Sequence, residues 1–105
     1  MSRAVRTKPG TRRELILDAA IQLSIKIGYR SITRDAVADI AGISSALIAK
    51  YFPRMTQLKQ AVMQTAISRE VVEVIIQGLA INDIQALNID YDLKEKVMKY
   101  LSQLK

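Results

Sequence analysis

The sequence predicts an all-α fold, and three patterns carry that prediction. Apolar residues recur at helical spacing between Leu15 and Ile27. Within Thr33 to Pro53, TRDAVADIAGISSALIAKYFP, the residues Ala38, Gly42 and Ile48 hold the spacing A-x-x-x-G-x-x-x-x-x-I of a helix-turn-helix. Leu93, Val97, Tyr100, Leu101 and Leu104 repeat the helical spacing towards the C-terminus, with Lys94, Lys96 and Lys99 turned the other way.

Residues 1–10 are basic and polar and end in Pro9-Gly10, so they are expected to form a disordered arm. Thr11-Arg12-Arg13-Glu14 has the form of a capping box, with Thr11 as N-cap and Glu14 reaching back. The first helix should run to Ile27, with Leu15, Ile16, Ala19, Ala20, Leu23 and Ile27 inward, and stop at Gly28. Ile32 points inward from the connection that follows. Thr33 caps a second helix, Arg34 to Ala41. Gly42 supplies the left-handed backbone of the turn, which Gly adopts without strain. Ser44 caps a third helix, Ser45 to Tyr51, and Pro53 ends it by disfavouring helical geometry at Phe52. Small Ala38 lets the third helix cross the second closely, and Ile48 fastens it from inside. Val37, Ala41, Ile43 and Phe52 complete that core.

A fourth helix should begin between Arg54 and Thr56 and place Leu58, Ala61, Val62, Thr65 and Ala66 on one face. From Val71 to Leu87 apolar residues stand on more than one side, more than a surface helix of a monomer needs. Asn82-Asp83 and Asn88-Ile89-Asp90 are candidate turns, and Asp90 or Asp92 caps the last helix. The expected organisation is a basic arm (1–10), a helix-turn-helix unit (11–54) and a helical dimerisation region (55–105).

A chain of 105 residues is one small domain. Half its residues are hydrophobic but only five are aromatic, so a dimer would relieve a marginal core. With no Cys and no His, disulfides, thiolate or imidazole metal sites and the usual nucleophile–base pairs are excluded. No cofactor and no enzymatic activity are expected. Glu70, Glu73, Asp83, Asp90 and Asp92 are scattered, as caps and solvent faces are. The basic N-terminus has no apolar stretch behind it and does not read as a secretory signal. The greasy run Val71 to Ile81 is broken by Glu73 and Gln77 and is too short to span a bilayer, so no membrane partner is expected.

The net charge of +6 is uneven. Residues 1–54 hold ten Lys and Arg against four acids, whereas residues 55–105 hold six of each. The whole excess lies with the helix-turn-helix, as a phosphate-binding surface requires. In DNA-binding proteins the second helix of such a unit enters the major groove. Ser45, Ala46, Leu47 and Lys50 are the base-contacting candidates: Ala46 and Leu47 meet thymine methyls and Lys50 donates to guanine or a phosphate. The alternative for Leu47 is packing sideways onto the first helix. Thr33, Arg34, Ser44, Tyr51 and Arg54 are phosphate candidates, because caps leave backbone N–H groups pointing outward. Thr33 and Ser44 also serve as plain caps, and Tyr51 has the core as its alternative. Arg3, Arg6 and Lys8 form a minor-groove arm or a solvated tail. Val72, Ile75, Ile76, Leu79, Val97, Tyr100 and Leu101 are the expected homodimer interface.

From Arg12 to Ala66 the chain resembles the TetR family of bacterial transcriptional repressors. The residues that carry the resemblance are ILDAAIQLSIKIGYRSITRDAVADIAGISSALIAKYF, then Leu58 and Ala61-Val62. The resemblance implies a homeodomain-like three-helix bundle followed by two or three dimerisation helices. Ala49 stands where the family usually has a phosphate-touching Tyr, and Met55 where it usually has a Lys; Arg54 could replace that charge. Roughly 40 residues follow the fourth helix, too few to enclose a ligand pocket of several hundred Å3. No small-molecule inducer is therefore expected.

These readings converge on a dimeric, inducer-free, autoregulatory repressor of a palindromic double-stranded DNA operator. The implied setting is the bacterial cytoplasm, in association with the nucleoid, and economy of size suggests a plasmid or phage. One rival is an architectural or anti-activator protein that does not choose sequence. Another is a small DNA-processing enzyme subunit, against which the missing Cys, His and acidic cluster argue.

Overall fold

A computed structural model describes residues 11–104 of the chain. These residues form seven α-helices and one 3-10 turn. The order is α1 (Thr11–Ile27), the turn Tyr29–Ser31, α2 (Arg34–Ala41), α3 (Ser45–Tyr51), α4 (Met55–Ser68), α5 (Val72–Ala80), α6 (Ile84–Leu87) and α7 (Tyr91–Ser102). The Thr11 side chain and the arm residues Arg3, Arg6 and Lys8 lie outside the described residues.

α1 is the central element, packed by α2 on one side and by α4 and α5 on another. A helix covered from two directions buries more than one stripe. Leu17 and Ile21 are therefore buried alongside Ile16, Ala19, Ala20 and Leu23. Leu15 and Ile27, expected inward from the spacing, are instead 40% and 48% exposed. Ser24 is fully buried, and its hydroxyl donates to the Ala20 carbonyl at 2.7 Å, so its burial leaves no unpaired donor.

The greasy stretch after α4 is two helices. Asn82 adopts φ 59° and Asp83 restarts the chain as α6, its carboxylate accepting from the backbone N–H groups of Gln85 and Ala86 at 2.9 and 3.1 Å. α7 is capped by Asp90, which accepts from the Leu93 N–H at 2.9 Å, so Asp92 is not the cap. α5 contacts α1, α4, α6 and α7, and one apolar core runs without interruption from Ile16 to Val97.

That packing corrects the expected dimer interface. Ile75 and Val97 are buried within the protomer, at 0% and 1% exposure, and have no area left for a partner. The reason is that α7 folds back onto α5. Val72, Ile76, Leu79 and Tyr100 are half-buried, and Leu101 is exposed.

Polar side chains lock the later helices to the earlier ones. The Gln77 carboxamide of α5 bridges the end of α1: its Nε2 donates to the Ser24 carbonyl at 3.0 Å, and its Oε1 accepts from the Tyr29 N–H. Arg69 pairs with Asp18, and Gln85 Nε2 donates to the Gln60 carbonyl at 3.0 Å. Gly78 lets α5 close on its neighbours: a Cβ there would stand 2.5 Å from Met63 Cε and 2.9 Å from Ala86 Cβ. Among the described residues no helix is long and apolar enough to cross a membrane.

Candidate nucleic-acid interface

Both helices of the motif are built by their caps. Thr33 Oγ1 accepts from the Ala36 N–H at 3.1 Å and opens α2. Gly42 closes it at φ 74°, ψ 31°, and the Gly42 and Ile43 N–H groups both donate to the Ala38 carbonyl, at 2.9 and 3.1 Å. A Cβ added at Gly42 would meet nothing within 4 Å, so the turn selects Gly for its backbone angle and not for lack of room. Ser44 Oγ then accepts from the Leu47 N–H at 3.0 Å and opens α3. Ile48 is wholly buried and holds the inner face of this two-turn helix, while Phe52 is buried just beyond it, with the Arg13 guanidinium 5.2 Å from its ring centroid.

With Ile48 inward, α3 presents Ala46, Lys50 and Tyr51 to solvent. Leu47 is half-buried, less open than a freely exposed groove residue. Ser45 is half-buried too, and its hydroxyl donates to Asp35 on α2. Tyr51 is 42% exposed and so is not a core residue. The Thr33 and Ser44 hydroxyls are both engaged as caps.

Arg34 and Arg54 do more than carry charge. Arg34 Nη2 donates to the Pro53 carbonyl at 3.0 Å, tying the start of α2 to the turn between α3 and α4; its Nε is buried without a partner among the described residues. Arg54 is exposed at the start of α4, where its backbone N–H donates to Gln57 Oε1 at 3.0 Å. These elements frame an open recess of about 540 Å3, lined by Thr33, Arg34, Asp35, Ser45, Ala46 and Lys59 among others. The recess brings the α2 candidates Thr33 and Arg34 together with the α3 candidates Ser45 and Ala46. Lys50, Tyr51 and Arg54 do not line it.

Two residues of the recess, Asp35 and Lys59, escaped sequence reasoning. Lys59 follows Met55 by four residues and so shares its face of α4, a signal the helical spacing did contain. Asp35 entered the sequence reading only as one of the four acids of residues 1–54, and its link to Ser45 joins two helices in a way no local pattern reveals.

The geometry is that of a capped, Gly-turned helix pair with a solvent-facing second helix. Residues 16–62 match the family model of bacterial regulatory proteins, tetR family. These residues form a TetR-family helix-turn-helix domain. The match spans α1 to most of α4 and just under half of the chain. No curated protein and no solved structure matches the chain. The TetR-family domain supports a DNA-binding transcriptional regulator, and the all-α architecture agrees with that fold.

Proposed function

We propose that the protein is a repressor that binds a two-fold double-stranded DNA operator as a homodimer and blocks transcription by occupying it. The observation that carries this reading is the outward face of α3. Ile48 pins the helix from below, so Ala46, Lys50 and Tyr51 project from a surface flanked by Arg34 and Arg54. A helix so held can enter a major groove while the flanking cations meet phosphates.

The homodimer rests on the far end of the fold. α7 carries two apolar stripes. Leu93 and Val97 face the core, whereas Tyr91, Met98 and Leu101, at helical spacing, stay exposed. Ile84 and Leu87 of α6 are also exposed, at 73% and 46%. A second copy covering this face would give a self-complementary contact and a two-fold axis. Footprinting on the DNA upstream of the protein's own gene tests the reading. The expected result is a protected palindrome that competitor DNA does not erase. Protection spread evenly along the fragment would instead favour architectural binding, a reading supported by Lys50 being the one charged side chain of α3.

A further inference from the structure

Asp35 is out of place on a phosphate-binding surface. It is exposed in the first turn of α2, it lines the same recess as Thr33, Arg34, Ser45 and Ala46, and it bears a negative charge where DNA would approach. The two cations of the recess do not neutralise it. Arg34 donates to the Pro53 carbonyl, and the Lys59 ammonium donates to the Arg30 carbonyl at 3.2 Å. Among the described residues Asp35 forms no ion pair. Its one polar side-chain partner there is the Ser45 hydroxyl, which donates to Oδ1.

That hydrogen bond fixes the chemistry of both groups. Ser45 has a single O–H, and it is spent on Asp35, so the Ser45 oxygen is left as an acceptor. Asp35 keeps Oδ2 free, also an acceptor. The pair therefore offers acceptors only. Phosphates and the O6, N7 and O4 atoms of base edges are acceptors as well and repel it. The donors in a major groove are the amino groups of cytosine and adenine, and a lone carboxylate suits cytosine N4 because adenine sets its amino group beside the N7 acceptor. Ala46 and Ala49, both small, leave the recess open to a base edge.

We propose that Asp35, positioned with Ser45, reads the amino group of one cytosine in each half of the operator and so sets specificity at that base pair. The inference rests on the reading of α3 as a groove helix. The carboxylate lowers affinity for DNA in general through repulsion and restores it at one sequence, which is discrimination by penalty as well as by contact.

The test uses the full chain and a pool of random-sequence duplexes, with the bound fragments sequenced, for the unmodified protein and for Asp35→Ala, Asp35→Asn and Ser45→Ala. Thermal melting runs alongside; Asp35 is exposed, so its variants should fold. The unmodified protein should select a motif with a C at one position per half-site. Asp35→Ala should lose that preference by roughly fivefold or more, keep the other positions, and bind random DNA more tightly. Asp35→Asn should move the preference from C to A, because an amide matches adenine with one donor and one acceptor. Ser45→Ala should weaken the preference by a smaller factor. A motif that Asp35→Ala retains in full overturns the inference alone. So does an equal loss at every position together with a lowered melting temperature, the mark of a purely structural tie. A random pool from which the unmodified protein selects nothing overturns both this inference and sequence-specific repression.

Discussion

The Tyr29 hydroxyl donates to the backbone carbonyl of Lys59 at 2.8 Å, and the Lys59 ammonium returns a hydrogen bond to the carbonyl of Arg30, the residue after Tyr29, so two bonds join the two segments. The 3-10 turn that delivers the chain to α2 is thereby fastened to α4.

Tyr29 makes the fold sensitive to alkali. Burial, and secondarily the negative charge of Asp83, push its hydroxyl from 10.0 up to about 12. The raised value means that the native state keeps the proton longer than the unfolded chain does. Stability from this group is thus intact below pH 10 and is lost as pH rises from 10 towards 12. The full loss is about 2–3 kcal/mol. Tyr29→Phe should cost about 1–2 kcal/mol at neutral pH, because the Lys59 carbonyl loses its donor. Its stability should then decline less between pH 10 and 12 than that of the unmodified protein. Parallel urea titrations at pH 8 and pH 11 check this; equal alkaline losses in the two proteins would contradict it.

Gly78→Ala tests how closely α4, α5 and α6 approach. Helix propensity alone would reward the change by about 1 kcal/mol. Packing opposes it, because the added Cβ would stand 2.9 Å from Ala86 Cβ, which has no freedom to move aside. Overpacking of this kind typically costs about 1–3 kcal/mol, so the variant should melt lower despite the better helix former. A raised melting temperature would mean that α5 and α6 are more loosely apposed than the structure shows.

The caps and the turn were legible in the sequence because they are local. Thr33, Gly42 and Ser44 each act within a few residues of themselves and do what their positions predict, whereas Asp83, read as part of a turn, caps α6, and Asp90, one of two candidates, caps α7. Burial was less legible because it depends on what packs from afar. Ile75 and Val97 look like surplus apolar residues until α7 folds over α5, and Leu15 looks like core from its spacing yet is 40% exposed. Lys96 is a further case. It reads as an isolated surface charge, but it pairs with Glu70, which raises its pKa, and so it ties α7 to the α4–α5 turn.

On the DNA-binding face, Lys50→Ala and Ile48→Ala should separate binding from folding. Lys50 is exposed, so its loss should weaken operator binding and leave the melting temperature within error. Ile48 is wholly buried, and its truncation should destabilise the domain by about 2–5 kcal/mol. Leu47→Ala now belongs between the two, since Leu47 is half-buried, with some cost in both assays. Binding by the unmodified protein, as the proposed dimer, should fall steeply with salt. About four to six phosphate contacts per subunit give a log–log slope of roughly −7 to −11. A slope shallower than about −3 would show that the cationic half is not a phosphate surface.

Dimerisation supplies the last test, and the structure changes which residues should be altered. Ile75→Glu would break an interface if Ile75 lay on the surface. Ile75 is wholly buried, so a carboxylate there must either be desolvated or open the core, and the variant should unfold. Met98 and Tyr91 are 64% and 71% exposed on the outer stripe of α7, and Leu101 is 38% exposed beside them. Met98→Glu and Leu101→Glu should therefore leave the protomer folded and its melting curve little changed, while shifting the sedimentation coefficient from dimer to monomer. Loss of the two-fold contact should then lower operator affinity, because a monomer engages one half-site and forgoes the second recognition helix one DNA turn away, about 34–36 Å. A control at Lys96 would be confounded by its pairing with Glu70, so Lys94→Glu, also exposed on α7, is the better comparison. If the unmodified protein sediments as a monomer at micromolar concentration and still binds a single half-site tightly, the exposed stripe of α7 is not a dimer interface and the two-fold operator goes with it.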